Sequence, residues 1–122
     1  MEWRFNNDMP IYTQLVEQIK IGIVSGELKP GERMTAVRDL AAEAGVNPNT
    51  MQRALQQLER EGLVYSQRSS GRFITEDISI IAGAKENLAV SHVKQFVESM
   101  KKLGYSGNEM IELLKNNSEE DE

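Results

Sequence analysis

The segment from Thr35 to Ile74 constrains the fold more than any other part of the chain. A helical pattern that opens near Thr35, its expected N-cap, ends at Gly45, and a second helical pattern begins at Asn47-Pro48-Asn49-Thr50. Asn is a favoured N-cap and Pro a favoured first helical residue, so the second helix has a well-marked start. A strand over 63–67, a turn at 68–71 and a return strand follow. This order of elements predicts a winged helix-turn-helix.

Further helical patterns flank this segment. Ile11, Leu15, Ile19 and Ile23 recur every four residues and predict a helix before it. A long apolar stripe from about residue 84 to 103 predicts a helix after it, and a capping box at 106–109 opens a last one. We therefore expect an α+β, mainly helical fold: a winged helix-turn-helix domain over 1–76, a linker over 77–85, a two-helix extension over 86–117 and an acidic tail over 118–122.

The charge is unevenly distributed along the chain. The whole chain carries −5. Residues 33–72 hold six basic and four acidic side chains, a net +2, whereas the chain from residue 76 onward is strongly acidic. A phosphate backbone responds to the local field, so the total charge does not argue against a nucleic-acid partner.

Composition argues against several other classes. The chain has no cysteine and one histidine, so neither a disulfide framework nor a thiolate metal site is expected. No phosphate-cradling glycine loop and no nucleophile with a neighbouring base is present, and we expect no enzyme activity, cofactor or metal. No apolar run is long enough for a membrane span, and the N-terminus has no signal-peptide pattern, so we expect a cytoplasmic protein.

Polar and basic side chains at the helix starts and on the hairpin form the candidate DNA site. Asn and Gln can pair with adenine and Arg with guanine in a major groove, and a helix N-terminus suits a phosphate. Alternatively, Asn47 is only a cap, Arg38 forms a surface ion pair and the hairpin is simply solvated. The candidate DNA-binding residues are Arg38, Asn47, Asn49, Thr50, Gln52, Arg53, Arg68, Ser70, Gly71 and Arg72.

The apolar stripe of the C-terminal extension has little to cover it within its own segment. One long helix and one short helix cannot bury all of these side chains between themselves, so packing against a second copy of the chain is favoured over packing within it. The candidate dimer-interface residues are Ala89, Val93, Phe96, Val97, Met100, Leu103, Leu113 and Leu114.

Several runs between residues 10 and 75 form a specific pattern: Pro10-Ile11-Tyr12-Thr13-Gln14-Leu15, Leu28-Lys29-Pro30-Gly31-Glu32-Arg33-Met34, Val37-Arg38-Asp39-Leu40-Ala41 and Gly45-Val46-Asn47-Pro48-Asn49-Thr50-Met51. This pattern resembles the GntR family of bacterial transcription regulators. The Asn-Pro-Asn-Thr helix start and the short C-terminal part are similar to the YtrA subfamily. By resemblance, the family's operator contacts fall on Arg38, Asn47, Asn49, Thr50, Gln52 and the hairpin around Ser70-Gly71.

The resemblance also implies a homodimer that binds an inverted-repeat operator and represses transcription, in relatives often of a transporter operon. Three departures bear on this. Met34-Thr35-Ala36 stands where Leu-Pro-Ser is usual. Many relatives have arginine at the positions of Pro48 and Gln52, and Ser69 stands where the first glycine of the wing is usual. The alternative is a winged-helix protein–protein adaptor that does not bind DNA, and whether a small-molecule effector binds stays open.

Overall fold

The computed structural model describes residues 1–118; residues 119–122, where most of the predicted acidic tail falls, lie outside the described residues. The described chain contains α1 (Ile11–Val24), α2 (Val37–Ala44), α3 (Pro48–Arg60), β1 (Val64–Gln67), β2 (Gly71–Ile74), α4 (Ile78–Lys102) and α5 (Gly107–Asn117). The mainly helical winged helix-turn-helix fold is therefore confirmed. The chain forms two compact units. We call residues Met1–Lys85 unit 1 and the residues from Glu86 onward unit 2.

The core of unit 1 lies among α1, α2, α3 and the start of the hairpin. The largest side chains in it are at most 2% exposed, because they lie on the inner faces of the helices or at the base of the hairpin. Burying each of them contributes about 1.5–3 kcal/mol. They are Leu15, Ile19, Ile23, Met51, Leu55, Leu58, Leu63, Val64 and Ile74.

The turn between α2 and α3 fixes the direction in which α3 leaves. Gly45 closes α2 in the left-handed conformation, with φ +73°, which a residue without Cβ adopts at little cost. The Val46 N–H donates to the Ala41 carbonyl at 3.0 Å. The Asn47 side chain then accepts from the Asn49 N–H at 2.7 Å, which confirms the predicted cap of α3.

The predicted cap of α2 at Thr35 is wrong. The N-cap position is taken by Ala36, and no side chain caps the helix. The reason lies in the preceding residue, because the Met34 N–H donates to the Arg72 carbonyl at 2.8 Å and keeps the chain extended alongside the hairpin. The helix therefore starts at Val37, and its first backbone N–H groups have no side-chain acceptor from the N-cap.

The hairpin, which we call the wing (residues 64–74), pairs its two strands antiparallel with Val64 opposite Ile74 and Gln67 opposite Gly71. Its second strand also pairs on the other edge. The Gly31 N–H donates to the Ile74 carbonyl, and the Ile74 N–H donates to the Glu32 carbonyl, both at 2.9 Å. The segment after the Pro30-Gly31 turn thus holds the wing from outside.

The predicted linker over 77–85 is helical. Helix α4 begins at Ile78, earlier than expected, because Asp77 caps it: the Asp77 carboxylate accepts from the Ser79 N–H at 3.0 Å and from the Ser79 hydroxyl at 2.6 Å. These hydrogen bonds from Ser79 lower the pKa of the Asp77 carboxyl. Ile80 and Ile81 pack against the core of unit 1, so this stretch is part of that unit.

Unit 2 contains the part of α4 beyond residue 85 and α5. The predicted capping box of α5 is confirmed: the Ser106 hydroxyl accepts from the Glu109 N–H at 3.2 Å, and the Glu109 carboxylate accepts from the Ser106 N–H at 2.8 Å. Within residues 1–118, no helix combines the length and apolar character needed to cross a membrane.

Candidate nucleic-acid interface

The start of α3 presents polar side chains to solvent. Asn47 uses its side-chain oxygen as the cap, and Asn49, at the second helical position, is exposed. Pro48 has no backbone N–H, so no donor is left without a partner at the first helical position. Inner residues Met51 and Ala54 are fully buried, which fixes the outward face of the first two turns. The Asn49 N–H is taken by the cap, so this helix end offers the exposed side-chain amide of Asn49 to a ligand.

Arg38 lies in the first turn of the neighbouring helix. It is the second residue of α2 and is exposed, whereas Leu40 and Ala41 face the core. Among residues 1–118, no hydrogen bond or ion pair holds its guanidinium, and the alternative ion pair to Asp39 or Glu43 is not formed. Arg38 thus keeps all of its donors for an external acceptor.

The side chains of Gln52 and Arg72, both predicted DNA contacts, form a hydrogen bond between α3 and the wing. The Arg72 Nη1 donates to the Gln52 Oε1 at 3.4 Å, and the Arg72 Nε donates to the Glu59 Oε2 at 2.9 Å. The same Glu59 oxygen accepts from the Ser66 hydroxyl on β1. The side chains of Arg72 and Glu59 are 17% and 27% exposed, so this ion pair is largely shielded from solvent.

The electrostatics of Glu59 follow from these contacts. Burial alone would raise the pKa of its carboxyl, but the hydrogen bonds from Ser66 and Arg72 and the charge of Arg72 outweigh burial and lower it. Glu59 is therefore ionised at neutral pH and acts as a fixed negative anchor for the wing arginine.

Arg53 is also held by an intramolecular contact. Its guanidinium carbon lies 4.4 Å from the centre of the Tyr12 ring on α1, within the range of a cation–π interaction. The Tyr12 hydroxyl in turn donates to Gln57 at 3.4 Å. Arg53 thus contacts α1 although it is exposed, and Thr50 is half-buried and less accessible than Asn49.

The tip of the wing consists of short, exposed residues with one basic side chain. Arg68, Ser69 and Ser70 are exposed, and the Ser70 N–H donates to the Gln67 carbonyl at 3.0 Å to close the turn. Ser69 has φ +69°, the left-handed conformation that a type II turn requires at this position and that glycine normally supplies. The serine that stands in place of the wing's first glycine therefore adopts a backbone conformation that favours glycine.

Comparison with known families identifies the chain. The family described as "Bacterial regulatory proteins, gntR family" matches residues 11–74, from α1 to the end of the wing. The chain belongs to the GntR family. The HTH-type transcriptional regulator YhcF of Bacillus subtilis (strain 168) is 39% identical over 115 residues, which are 94% of this chain and 95% of YhcF. The HTH-type transcriptional repressor YtrA of the same strain is 35% identical over 108 residues, 85% of this chain and 78% of YtrA. The predicted resemblance to this family and to YtrA is confirmed.

Solved structures agree with this assignment. A GntR family transcriptional regulator from Listeria monocytogenes superimposes with a TM-score of 0.86 at 34% identity, covering 93% of this chain and 100% of that one. The DBD of AraR in complex with operator ORX1 superimposes with a TM-score of 0.56 at 28% identity, covering 62% of this chain and 96% of that one. The second likeness is to a structure that was solved on its operator.

Arg33 of this GntR-family regulator is a basic residue near the wing that is not among the predicted DNA contacts. It is exposed and forms a bridge with Phe73, and a Cβ built on Gly71 would lie 3.3 Å from its Nε. With the start of α2 and Arg72 it lines an open cleft of about 550 Å³. Its position one residue before Met34, in an extended segment after a Pro-Gly turn, is the signal that could have placed it beside the wing.

The predicted dimer-interface residues of the GntR-family chain lie on α4, on α5 and, for Leu103, in the turn after α4, and they are poorly covered. Val93 is 58% exposed, Leu103 71%, Leu113 38% and Leu114 51%. Ala89 is also exposed, and Phe96, Val97 and Met100 are half-buried. In unit 2, among the described residues, the one fully buried apolar side chain is Met110, at 4% exposed.

Proposed function

We propose that this GntR-family regulator is a sequence-specific DNA-binding repressor that acts in the bacterial cytoplasm as a homodimer on an inverted-repeat operator. One observation carries the proposal: two exposed polar side chains lie at the starts of neighbouring helices. They are Arg38 on α2 and Asn49 on α3. The similarity to YtrA, which is named as a repressor, and to the AraR DBD on operator ORX1 supports DNA as the partner.

Helix α3 enters a major groove in this proposal. A major groove is about 12 Å wide and admits one helix, whose first turns reach the base edges. Asn49 and Gln52 are the readers, because the residues between them turn inward, and Asn47 positions a phosphate against the helix N-terminus. Arg38 contacts the backbone at the groove edge, which fixes the register of α3 without reading sequence.

The wing lies on the adjacent minor groove. Its tip carries small hydroxyl side chains at Ser69 and Ser70 beside Gly71, so the backbone can approach a narrow groove closely. Arg33, which lies beside Gly71 and lines the cleft next to α2, and Arg68 at the exposed tip both supply positive charge. Arginine is favoured where a minor groove is narrow and its potential is most negative.

A second copy of the chain covers the apolar side chains of unit 2. A single chain leaves Val93, Leu103 and Leu114 more than half exposed, and a symmetric pair of units would bury them. A two-fold symmetric protein calls for an inverted repeat, with half-sites about 34–36 Å apart or a multiple of that distance. Local basic charge is modest, so two half-sites also compensate for weak electrostatic affinity.

The regulated gene follows from resemblance alone. Regulators similar to YtrA often act on transporter operons near their own gene, and occupation of a promoter by the dimer would block transcription. A small-molecule effector would act by changing the spacing of the two DNA-binding units. Deleting the gene should raise transcript levels of the neighbouring operon, and a fall would mean that the protein activates.

The adaptor alternative has no support from the relatives reported above, each of which is named as a transcription regulator. It also leaves the unengaged Arg38 without a role. An enzyme activity is not proposed, because the relatives reported above are named as transcription regulators.

Binding-site selection from random duplex DNA tests the proposal without knowing the operator. We expect the purified full chain to enrich an inverted repeat. In a fluorescence-anisotropy titration at about 150 mM salt, that repeat should bind at least about 10³-fold more tightly than scrambled DNA. No enrichment, with equal and weak binding to both DNAs, would reject sequence-specific recognition and favour the adaptor.

Asn49→Ala tests the assignment of the readers. A lost base contact should relax the selected sequence at one position of each half-site and leave nonspecific affinity unchanged. Ser91→Ala, an exposed substitution on α4, is the control. Identical selected sites for parent and Asn49→Ala would remove Asn49 from the readers.

A further inference from the structure

We propose that Arg72 is a positioning residue, not a phosphate contact, and that its ion pair with Glu59 sets both the angle of the wing and the orientation of Gln52 on the DNA. This inference rests on the proposed DNA-binding function. It replaces the expectation that both wing arginines touch the backbone, and it assigns a role to Glu59, an acidic residue in a positively charged region.

The geometry of Arg72 spans the recognition helix. Gln52 and Glu59 are seven residues apart on α3, about two helical turns, so they lie on the same side of the helix. Arg72 on β2 reaches both of them, at 3.4 Å and 2.9 Å. One planar guanidinium therefore joins a reader near the start of α3, an anchor near its end and the second strand of the wing.

The anchor also ties in the first strand. Ser66 on β1 donates its hydroxyl to the Glu59 oxygen that accepts from Arg72. The main chain of Arg72 is fixed as well, because its carbonyl accepts from the Met34 N–H at 2.8 Å. Each strand has four residues, and these side-chain contacts connect both strands to α3 beyond the buried base at Val64 and Ile74.

The contact with Arg72 also biases what Gln52 can read. A glutamine that pairs with adenine in bidentate fashion uses its oxygen to accept from the adenine amino group. In Gln52 that oxygen faces Arg72, so its NH₂ group is the end left for a base. Gln52 should then prefer a base that presents an acceptor, such as guanine O6 or N7 or thymine O4.

Burial separates Arg72 from the wing-tip arginine. The Arg72 side chain is 17% exposed and already paired with a carboxylate, whereas Arg68 is exposed and has no ion pair to any residue in 1–118. Moving Arg72 to a phosphate would leave Glu59 unpaired in a partly buried site near a polyanion, which is unfavourable. The two arginines of the wing thus have different roles.

Four full-length variants test the proposal on the selected operator: Glu59→Gln, Arg72→Ala, their combination, and Glu2→Gln as a control that removes one exposed negative charge elsewhere in unit 1. The sign of the Glu59→Gln effect decides the matter. A positioning pair predicts roughly fivefold weaker binding, since the wing loses its anchor. The double variant should be no weaker than either single variant, because the two residues act as one unit.

The salt dependence of affinity is the second readout. Loss of a direct phosphate contact lowers the slope of log K against log salt by about 0.9, and loss of a positioning residue leaves it unchanged. We expect Arg72→Ala to keep the parent slope and to change the base selected opposite Gln52. Tighter binding by Glu59→Gln, or a slope reduced by about one in Arg72→Ala, would make Arg72 a phosphate contact and overturn the proposal.

Limited trypsin cleavage after Arg68 measures the anchoring of the wing without DNA. Glu59→Gln should be cut roughly fivefold faster than the parent and Glu2→Gln at the parent rate, with urea midpoints recorded to exclude global unfolding. Unchanged cleavage would overturn the anchoring role. If the parent shows no preference for any DNA, the proposed function fails, and this cleavage rate still decides whether Glu59 and Arg72 hold the wing.

Discussion

The two units of the chain differ most in how they treat their apolar side chains. In unit 1, fourteen apolar residues form one buried core, with Leu15, Ile19, Met51 and Leu58 at 0% exposed. In unit 2, Met110 is the fully buried apolar residue among those described, and several large side chains of α4 and α5 are more than half exposed. The first unit has the core of an independent domain, whereas the described part of the second unit does not.

This contrast teaches how function is divided along the chain. Unit 1 can hold polar groups such as Arg38 and Asn49 at defined positions because a close-packed core fixes the helices that carry them. Unit 2 has good local signals, including the capping box at Ser106, but among its described apolar side chains it fully buries only Met110. Local signals specify its helices, and association with another surface is what would stabilise their packing.

The largest effect is expected from Val93→Asp with Leu114→Asp in unit 2. Both side chains are at least half exposed in the single chain, so the helices should persist, but a buried charge would prevent two copies from associating. Sedimentation should show a monomer, and operator affinity should fall by about 10²–10⁴-fold because the second half-site is no longer tethered.

Ser91→Asp with Asn116→Asp is the matched control. It places the same two charges on exposed polar positions of α4 and α5 and should remain dimeric. A Val93→Asp, Leu114→Asp double variant that still sediments as a dimer would place the interface elsewhere and weaken the contrast between the units.

A smaller effect is expected from Arg38→Ala in unit 1. Its guanidinium has no intramolecular partner among residues 1–118, so removing it should leave the free energy of unfolding nearly unchanged. Loss of a backbone contact should weaken operator binding by about 1–3 kcal/mol and reduce the salt slope by about one. Arg60→Ala, whose guanidinium hydrogen-bonds to Gln57, is the control. An unchanged operator affinity at fixed salt would show that Arg38 does not touch DNA.

Features set by local chemistry were predictable from the sequence. The Asn47 cap, the Gly45 end of α2 and the capping box at Ser106 depend on residues within four positions of each other. The core stripe of α1 followed from its spacing for the same reason. The family pattern added the order of the elements.

Features set by contacts between distant residues were not predictable from the sequence. Thr35 looked like a cap, but Met34 pairs with Arg72 across the sheet and delays the helix. The contact of Arg72 with Glu59 joins two elements, and the local sequence around Arg72 does not indicate it. Ile80 and Ile81 looked like linker residues because nothing in the local sequence shows that they pack on the core. Tertiary contacts override local propensity in each case.

Acidification should weaken unit 1 through two ion pairs. Lys20 lies 2.7 Å from Glu61 and Arg72 lies 2.9 Å from Glu59. Burial alone would raise the pKa of Glu61, but hydrogen bonds from Gln57 and Lys20 and the charges of Lys20 and Arg60 lower it. The pKa of Glu59 is lowered in the same way by Ser66 and Arg72. A lowered folded-state pKa contributes stability above the unfolded value of about 4.3, and that stability is lost as the pH falls through the folded value.

The urea midpoint of unit 1, followed by Trp3 fluorescence, should therefore be flat from about pH 7 to pH 5 and fall below about pH 4. Trp3 is the one tryptophan of the sequence and packs against the core of unit 1. The double variant Glu59→Gln, Glu61→Gln should have a lower midpoint at pH 7 and a shallower fall in acid. An equal fall in parent and variant would mean that other carboxyls control acid unfolding.

The smallest effect is expected at the tip of the wing. Ser69 has φ +69°, and a non-glycine residue in the left-handed conformation costs about 1 kcal/mol or more. Ser69→Gly removes that strain but adds freedom to the unfolded chain, so the net gain in the free energy of unfolding should be about 0.5 kcal/mol.

Ser70→Gly is the matched control: Ser70 has no positive φ, so glycine there adds only unfolded-state freedom and should destabilise unit 1 by a similar amount. Opposite shifts in the urea midpoint for these adjacent serines would show that Ser69 keeps a glycine-like turn under strain, and equal shifts would show that it does not.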